Sequence, residues 1–211
     1  MYVKYGMRRT KEEAARTRQG IVEAALACFD RHGIAHTTLE QIASEANVTK
    51  GAVYWHFRGK REILHAIREE VSLPLLDRAD CTLLHAASRP ALDRVARFLE
   101  GMLETVETDP RTRRALTVMQ FKCEYADELV QELDDMHRNN DRLLKALEKT
   151  YEEARKAGTL HFALTPRIAA LDTMAFLAGL VRLSLLDRTR NGMRKNASAL
   201  IRAHIASRRA G

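Results

Sequence analysis

The sequence predicts an all-α protein of about nine helices, with a small N-terminal three-helix unit followed by a larger helical unit. Apolar residues recur at helical spacing along most of the 211 residues, and proline and glycine are scarce, at 4 and 10. Neither an alternating polar and apolar run nor a hairpin dipeptide between such runs is present. These observations favour helices over strands along the whole chain.

The first helix is predicted to begin at Thr10, because Thr10 and Glu13 have the T-x-x-E spacing of a capping box. Gly33 is predicted to end it, since glycine readily adopts the left-handed conformation that follows a helix. Its buried stripe is formed by apolar residues three and four positions apart, Ile21, Ala24, Ala25, Cys28 and Phe29.

Two short amphipathic helices follow within residues 38–57, separated by three residues. Thr38 and Gln41 form a second capping box at the start of the first of them, and Thr49 is predicted to cap the next. Asn47 suits the turn because asparagine tolerates the left-handed conformation. Two short helices joined by such a turn are typical of a helix-turn-helix, whose second helix enters the major groove of DNA.

The faces of the second short helix follow from its spacing. Val53 and Phe57 lie four residues apart and are predicted to point into the core. The aromatic rings of Tyr54, Trp55 and His56 are therefore left mainly on the other faces.

The next helix is predicted to begin at Lys60, with Ile63, Leu64 and Ile67 on its inner face, and to end or kink near Pro74. Sparse turn signals divide the remaining chain into five helices. These are predicted at residues 91–107, 111–122, 125–157, 166–187 and 194–207.

The helix predicted at 166–187 is apolar around most of its circumference, which indicates burial on more than one side. One side can face its own domain and another a partner subunit. Helix 194–207 offers a narrower apolar stripe, so the two helices from each of two chains would form a four-helix interface. A single helix-turn-helix also requires a dimer to contact two half-sites.

The net charge of +7 is unevenly distributed. Residues 1–66 hold 11 Lys and Arg against 7 Asp and Glu, residues 67–187 hold 17 against 21, and residues 188–211 hold 7 against none. A basic start with an acidic middle indicates that DNA contact is confined to part of the surface. The basic tail is interpreted as a solvated helix, with DNA contact as the alternative.

The composition also predicts a location. No apolar run approaches the ~18 residues that span a membrane, and the N-terminus lacks the apolar segment of a secretory signal. We therefore expect a cytoplasmic protein without membrane contact. Cys28, Cys81 and Cys123 are odd in number and far apart, which favours buried thiols in a reducing compartment over disulfides, with a redox-sensing pair as the alternative.

Ten residues are predicted to contact DNA. Small residues allow the backbone to approach phosphates, helix N-terminal amides and hydroxyls favour phosphate oxygens, and a lysine can contact either a guanine edge or a phosphate. A flexible basic arm at residues 1–9 would add charge or enter the minor groove. The ten are Thr37, Thr38, Thr49, Lys50, Gly51, Ala52, Tyr54, Trp55, His56 and Lys60.

Residues 8–64 closely resemble the DNA-binding domain of the TetR family of transcriptional repressors. Characteristic stretches are Thr37-Thr38-Leu39, Val48-Thr49 and Tyr54-Trp55-His56-Phe57. The opening at residues 8–14 and the segment Phe121-Lys122-Cys123-Glu124-Tyr125 resemble the AcrR-, MtrR- and TtgR-like branch, whose members repress multidrug efflux pumps.

The resemblance implies a homodimer with a helix-turn-helix domain at residues 10–58 and a ligand-binding and dimerisation domain at residues 59–211. It also implies a large apolar cavity in the second domain. By position in the matching helices, the cavity would be lined by Met102, Leu116, Gln120, Leu143, Leu147, Met174, Leu177, Ala178 and Arg182. Leu116, Gln120 and Ala178 depart from the polar or aromatic residues found elsewhere in the branch.

The leading hypothesis is a ligand-responsive repressor that binds a palindromic operator as a dimer and controls a multidrug efflux operon. The apolar and acidic middle of the chain favours bulky, apolar inducers that are amphipathic, cationic or planar. The alternatives are a regulator of metabolic or lipid genes and a nucleoid-associated DNA-binding factor. An enzyme is not expected, because no phosphate loop, nucleophile motif or metal-ligand spacing occurs, and neither a cofactor nor a metal is predicted.

Overall fold

The computed structural model describes residues 11–86, 88–124, 129–187 and 192–210, in which nine α-helices are joined by short connections. A π-helical turn, Cys81–His85, follows the fourth helix, and Leu160 and Arg209 form an isolated antiparallel bridge. The helices are α1 Lys11–His32, α2 Leu39–Glu45, α3 Lys50–His56, α4 Lys60–Asp80, α5 Ala91–Thr108, α6 Pro110–Phe121, α7 Gln131–Lys156, α8 Pro166–Leu186 and α9 Met193–Ala206.

The predicted all-α class is confirmed, and most predicted helix ends lie within two residues of the observed ones. α7 is first described as a helix from Gln131, six residues after its predicted start, and residues 125–128 lie outside the described ranges. Thr10, the basic arm at 1–9 and Tyr125 also lie outside them.

Pro74 does not end α4, which continues to Asp80. A proline inside a helix leaves the carbonyl four residues earlier, here that of Glu70, without its usual donor. Pro74 is exposed, so water can reach this side of the helix. Of the two predicted effects of Pro74, the helix end was therefore wrong and the kink stays a prediction; α4 forms a single connector between two parts of the molecule.

We call residues 11–67 the head and the described residues from 68 to 210 the body. The hydrophobic core of the head is formed by α1, α2, α3 and the first half of α4, with Phe29, Ile42 and Val53 fully buried. Gly33 has a φ of +78° and ends α1, as predicted. Two residues of α6, Ala115 and Val118, belong to the same core.

The core of the body is formed mainly by α5, α7, α8 and α9. Tyr151 is fully buried in it, and its hydroxyl lies 2.7 Å from that of Thr173 on α8. Arg94 is also buried, donates to the carbonyl of Leu83 at 2.5 Å and pairs with Glu153, so it ties the π-helical turn to α5 and α7.

Ion pairs and backbone contacts connect the head to α6. Arg111 binds Glu23 of α1 at 2.5 Å and also pairs with Glu70 of α4. Lys122, at the end of α6, donates to the carboxylate of Asp30 at 2.8 Å, and its carbonyl accepts from the amide of Ile34 at 3.3 Å. Both ends of α6, a helix of the body, are therefore bonded to the head.

α8 is long and apolar enough, by length and composition, to cross a membrane, with 44% of its most apolar window buried. The sequence-based statement that no apolar segment reaches this length was therefore wrong. Within the chain, the helix packs against α7, α5 and α9 of the body core.

The three cysteines are free and differ in their surroundings. Cys28 is buried in the head core, as predicted, and Cys123 is half-buried against the same core. Cys81 is exposed, so the prediction of a buried thiol is wrong for this residue.

Candidate nucleic-acid interface and ligand cavity

The helix-turn-helix begins with the predicted capping box. The amide of Gln41 donates to the Thr38 hydroxyl at 3.2 Å, and the Gln41 side chain accepts from the amide of Thr38 at 2.8 Å. Two amides that the helix leaves without intrahelical partners are thereby satisfied, which fixes where α2 starts.

The turn between α2 and α3 also follows from its residues. Asn47 has a φ of +52°, the only positive φ of a non-glycine residue in the described part of the chain. The amide of Val48 then bonds to the carbonyl of Ala43 at 3.0 Å, and the Thr49 hydroxyl accepts from the amide of Ala52 at 3.2 Å. The start of α3 is thus held at a defined angle to α2.

α3 presents Tyr54 and Trp55 to solvent, whereas His56 is half-buried. Val53 and Phe57 are buried, whereas Tyr54 is 51% exposed and Trp55 is 73% exposed. The Trp55 ring lies edge-on to His56, with ring centroids 4.4 Å apart. An indole this exposed contributes little to the core, so its surface is available to another molecule.

Gly51, at the start of α3, is exposed and is not required by packing inside the chain. A Cβ at this position would meet only the Thr49 hydroxyl, at 3.9 Å, and the φ of Gly51 is not positive. Glycine costs helix stability relative to alanine. Its presence therefore fits a surface that another molecule's backbone approaches closely.

Lys50 forms an ion pair with Glu40 of α2, and its ammonium lies 5.7 Å from the centroid of the Tyr54 ring. The hydrogen bond from Lys50 holds the pKa of Glu40 below its usual value, and the same bond raises the pKa of Lys50. Both side chains are more than half exposed. The ammonium thus has an internal counter-charge that a DNA phosphate would have to replace.

Two residues predicted to contact DNA are engaged inside the head. Thr37 is 1% exposed, and its hydroxyl donates to the carbonyl of Gly33 at 2.7 Å. Lys60 is half-buried and donates to the carbonyls of Ile34 at 2.8 Å and Ala35 at 3.2 Å. Both groups stabilise the loop between α1 and α2 in this structure, so a DNA contact by either stays a prediction and would require it to give up these bonds.

The body contains a cavity of about 310 Å³ between α4, α5, α6, α7 and α8. Seven of the nine residues that the family resemblance implied for the cavity line it. They are Met102, Leu116, Gln120, Leu143, Met174, Leu177 and Ala178.

The other two predicted residues lie elsewhere. Leu147 is fully buried in the body core, one helical turn from the cavity residue Leu143. Arg182 is exposed, and its guanidinium carbon lies 4.6 Å from the centroid of the Phe121 ring. Leu143 and Leu147 lie on the same face of α7. Helical spacing alone therefore cannot tell which of them borders the cavity and which packs in the core.

Seven further residues of the lining were missed. Three of them are polar, Ser72, Asn139 and Asn140, and the others are Leu75, Leu76, Val106 and Val181. Ser72, Leu75 and Leu76 share one face of α4 and form one wall of the cavity. The sequence analysis did not predict this wall because it expected the helix to end or kink near Pro74. The adjacent Asn139 and Asn140 on α7 are the feature of the sequence that could have indicated polar groups in the cavity lining.

Gln120 is the polar member of the α6 wall. Its side-chain carbonyl oxygen is buried and has no hydrogen-bond partner among the residues that the structure describes. A buried acceptor without a donor costs about 1–3 kcal/mol, so this oxygen favours a molecule that brings one. Asn140 and Ala178 are the exposed members of the lining and mark the mouth of the cavity.

The walls of the cavity are also the supports of the head. On α6, Leu116 and Gln120 line the cavity, while Ala115 and Val118 are buried in the head core. On α4, Ser72, Leu75 and Leu76 line the cavity, while Ile63, Leu64 and Ile67 belong to the head core. A molecule in the cavity would therefore press on two helices that hold the head.

An apolar surface remains exposed on α8 and α9. Four large side chains of α8 are between 43% and 55% exposed, and one of α9 is 38% exposed. They are Ile168, Leu171, Leu183, Leu186 and Leu200. A group of this size is characteristic of a protein interface.

His65, Glu132 and Asp135 could offer metal-ligand atoms within 4.8 Å of one another. The side chain of Arg68 already occupies this cluster, 2.9 Å from Glu132, 2.8 Å from the Nδ1 of His65 and paired with Asp135. The guanidinium supplies the positive charge that the carboxylates require. The cluster is thus explained by a buried ion pair that joins α4 to the start of α7.

Comparison with known proteins places these features in a wider group. Residues 21–67 match the family described as bacterial regulatory proteins, tetR family, and residues 91–207 match the C-terminal region of MAATS-type transcriptional repressors. The HTH-type transcriptional regulator TtgR of Pseudomonas putida is 33% identical over 183 residues, 85% of each chain.

Two solved structures are similar over most of their length. NalD, the secondary repressor of the MexAB-OprM multidrug efflux pump in Pseudomonas aeruginosa, superposes with a TM-score of 0.82 at 28% identity, over 93% of this chain and 98% of that one. The complex of SmeT with triclosan has a TM-score of 0.75 at 30% identity, over 91% of both chains. SmeT represses the multidrug efflux pump SmeDEF of Stenotrophomonas maltophilia.

Proposed function

The chain belongs to the TetR family of bacterial transcriptional regulators, and we propose on this premise that it represses a multidrug efflux operon and is released from DNA by small apolar or amphipathic molecules. The observation that carries the proposal is the double role of α4 and α6, which line the cavity and also pack in the head core, with Leu75 and Leu116 contributing to both. The family consists of transcriptional regulators rather than enzymes.

The DNA-contacting residues follow from the surface of the head. Trp55, Tyr54 and Gly51 are exposed on α3, the caps at Thr38 and Thr49 orient two helix N-termini, and Lys50 can exchange Glu40 for a phosphate. We assign Ala52 and His56 to the same surface. The division of the chain into a helix-turn-helix DNA-binding domain at 10–58 and a ligand-binding and dimerisation domain at 59–211 stays a prediction.

Dimer formation is supported by the exposed apolar side chains of α8 and α9. Two copies that bury this surface against each other would form the predicted four-helix interface and remove the leucines from water. Two heads are needed for a palindromic operator, whose half-sites lie about 34–36 Å apart or a multiple of that distance.

Release from DNA is a shift between two arrangements of the dimer. The inducer must bind the arrangement with the wrong head spacing more tightly than the one that fits the operator. A coupling of ~1–3 kcal/mol lowers operator affinity roughly 5- to 150-fold. The pressure of a ligand on α4 and α6 provides such a difference, because both helices enter the head core.

The efflux assignment is supported by what similar proteins do. NalD and SmeT repress multidrug efflux pumps, and a structure of SmeT in complex with triclosan has been solved. We place the present protein in the cytoplasm, where its operator and its inducers would meet.

Chromosome-wide mapping of bound sites tests the proposal. We expect one or a few sites, with the strongest beside a transporter operon, and weaker occupancy after triclosan is added to the cells. Binding beside lipid or metabolic genes would favour the first alternative, and hundreds of dispersed sites would favour a nucleoid-associated factor; either result would contradict control of an efflux operon.

Light scattering of the purified protein tests the dimer. The native chain should elute as a dimer, and Leu171→Lys on α8 should yield monomers that bind the operator weakly. The matched control is Leu73→Lys, since Leu73 is 45% exposed on α4. A monomeric native protein, or a Leu171→Lys variant that stays dimeric, would contradict the proposed interface.

A further inference from the structure

The lining of the cavity carries no charge. None of its fourteen residues is Asp, Glu, Lys, Arg or His, although charged residues make up 30% of the chain. An ionised ligand placed there would lose its hydration without gaining a counter-charge, which weakens its binding or shifts the ligand to its neutral form. The lining therefore favours an uncharged ligand.

Two charged side chains beside the cavity, Arg68 and Arg142, already have partners. Arg68, beside the cavity residues Ser72 and Asn139, is held by Glu132 and Asp135. Arg142, which follows the cavity mouth on α7, pairs with Asp77 at 2.8 Å and Asp80 at 2.7 Å. These carboxylates of the acidic middle of the chain are thus engaged in ion pairs outside the cavity and do not make the cavity a site for cations.

The polar groups of the lining are neutral and lie on different walls. Gln120, on α6, has a buried carbonyl oxygen without a donor, and Ser72, Asn139 and Asn140 lie on α4 and α7. A hydroxyl or N–H on the ligand would satisfy the Gln120 oxygen and replace an unpaired buried acceptor with a hydrogen bond. This makes Gln120 the residue that orients the ligand.

The volume limits the size. A cavity of 310 Å³ lies at the small end of the roughly 300–1,000 Å³ of ligand pockets, which fits a compact molecule of about two rings. The thioether of Met102 and the side chains of Leu143 and Leu177 offer apolar and polarisable contacts to such rings.

We infer that the cavity selects uncharged two-ring molecules with one hydroxyl or N–H donor, and that the donor binds the side-chain oxygen of Gln120. The inference rests on the proposed function and narrows its inducer class. It replaces the sequence-based expectation that included cationic inducers. Phenolic biaryls are the simplest members of the class.

Calorimetry with the full-length protein tests the inference with matched probes. The probes share a biphenyl skeleton: 4-phenylphenol is neutral with a donor, 4-methoxybiphenyl is neutral without one, 4-phenylbenzoate is an anion and 4-phenylbenzylammonium is a cation. We expect 4-phenylphenol to bind at least tenfold more tightly than either ion. An ion that binds as tightly as the phenol, or a phenol that does not bind, would overturn the inference.

Two variants at one position separate the donor contact from general packing. Gln120→Leu should weaken 4-phenylphenol about fivefold to tenfold and leave 4-methoxybiphenyl unchanged, because only the phenol uses the oxygen. Gln120→Glu should raise the affinity for 4-phenylbenzylammonium at least tenfold, a gain that a misfolded protein could not produce. Gln131→Leu, at an exposed position of α7, is the control.

Equal weakening of phenol and ether by Gln120→Leu, or no gain for the cation in Gln120→Glu, would assign Gln120 to packing alone and contradict the inference. The proposed function fails separately. If the native protein does not bind operator DNA, the repressor assignment is lost whatever the ranking of the probes. If the cation proves the best ligand and still releases the operator, only the inference is lost.

Discussion

The head satisfies its helix starts and its first loop with its own side chains, whereas the body leaves a buried acceptor and an apolar face without partners among the described residues. In the head, Thr38, Gln41 and Thr49 satisfy the starts of α2 and α3, and Thr37 and Lys60 bond to carbonyls of the loop between α1 and α2. In the body, Gln120 keeps a buried acceptor without a donor, and α8 exposes a row of leucines. The hydrogen bonds of the head favour a rigid DNA-binding unit. The unpaired acceptor and the exposed leucines of the body favour binding of a ligand and of a second subunit.

The difference also explains how the two parts communicate. α6 meets the head with charged and buried residues and meets the cavity with Leu116 and Gln120. A rigid head moves as a unit when its support moves, so small displacements of α6 and α4 need not be absorbed inside it. The predictions that follow test the contrast, beginning with the largest expected effect.

Leu147→Ala tests the boundary between core and cavity on α7. Leu147 is fully buried in the body core, so its removal should lower the free energy of unfolding by about 2–5 kcal/mol. Leu143→Ala, one turn away, should cost less stability because Leu143 already borders open volume, and it should change ligand affinity instead. Urea unfolding measures both. If Leu147→Ala kept native stability but changed ligand affinity, Leu147 would have to be assigned to the cavity lining instead of the core.

Gly51→Ala tests whether the head surface is built for close approach. The methyl group has space within the chain, so the stability of the head should be unchanged or raised by up to about 1 kcal/mol. Operator affinity should nevertheless fall at least about tenfold, because the methyl group would separate α3 from the DNA backbone. The measurement is fluorescence anisotropy with operator DNA.

Gly20→Ala is the matched control, since Gly20 is an exposed glycine of α1 with nothing within 4 Å of a Cβ. It should stabilise the helix without weakening DNA binding. If Gly51→Ala and Gly20→Ala bound operator DNA with equal affinity, Gly51 would not lie on the DNA-contacting surface.

His204 tests the body at its exposed apolar surface. Burial lowers the pKa of His204 to about 4, and its ring stacks on Phe176 with centroids 3.9 Å apart. Between pH 6.5 and 4 the unfolded chain takes up a proton at this residue and the folded chain does not, so stability is full above pH 6.5 and falls as the pH drops toward 4. Since the group is only half buried, we expect a loss of about 1 kcal/mol.

Urea unfolding at about pH 7 and about pH 4.5, on either side of the ordinary histidine pKa, measures the loss. His204→Gln should remove that part of the pH dependence, while His137→Gln, at an exposed position on α7, should not. An unchanged pH profile in His204→Gln would show that other groups cause the loss.

Lys50 and Lys60 are the first residues of α3 and α4, and the sequence alone does not distinguish their roles. Alanine variants test whether each of them contacts a phosphate. Lys50→Ala should weaken DNA binding several-fold and reduce the slope of log affinity against log salt by about 0.9 for each phosphate that is no longer neutralised. Lys60→Ala should leave that slope unchanged and lower stability by about 1 kcal/mol, because the carbonyls of Ile34 and Ala35 lose their donor.

The salt dependence of anisotropy titrations separates the two outcomes. If Lys60→Ala reduced the salt slope as much as Lys50→Ala, Lys60 would have to exchange its carbonyl partners for a phosphate on binding. A changed base preference in Lys50→Ala would assign Lys50 to a base edge instead of a phosphate.

Much of the head was predictable because its determinants are local. A capping box needs two residues three positions apart, and the left-handed turn needs one asparagine, so Thr38, Gln41 and Asn47 identify the motif without any knowledge of the tertiary fold. The same local patterns could not reveal the internal partners of Lys60, which lie 26 and 25 residues earlier. A lysine that begins a helix has the same pattern whether it binds solvent, DNA or a distant carbonyl.

The cavity was predictable only in part. Family resemblance identified seven of its residues, but it could not distinguish Leu147 from Leu143, since both lie on one face of α7 and only the packing of neighbouring helices separates them. The α4 wall was missed because the effect of Pro74 depends on whether the carbonyl it leaves without a donor meets water, which is a property of the assembled fold.

By itself the sequence determined the helical class, the helix-turn-helix with its caps and the apolar character of α8, because spacing and capping act over three or four residues. The tertiary structure decided which polar side chains face inward, which leucines border open volume and that α4 and α6 serve the head and the cavity at once. These properties depend on contacts between residues far apart in the chain, and no local pattern records such contacts.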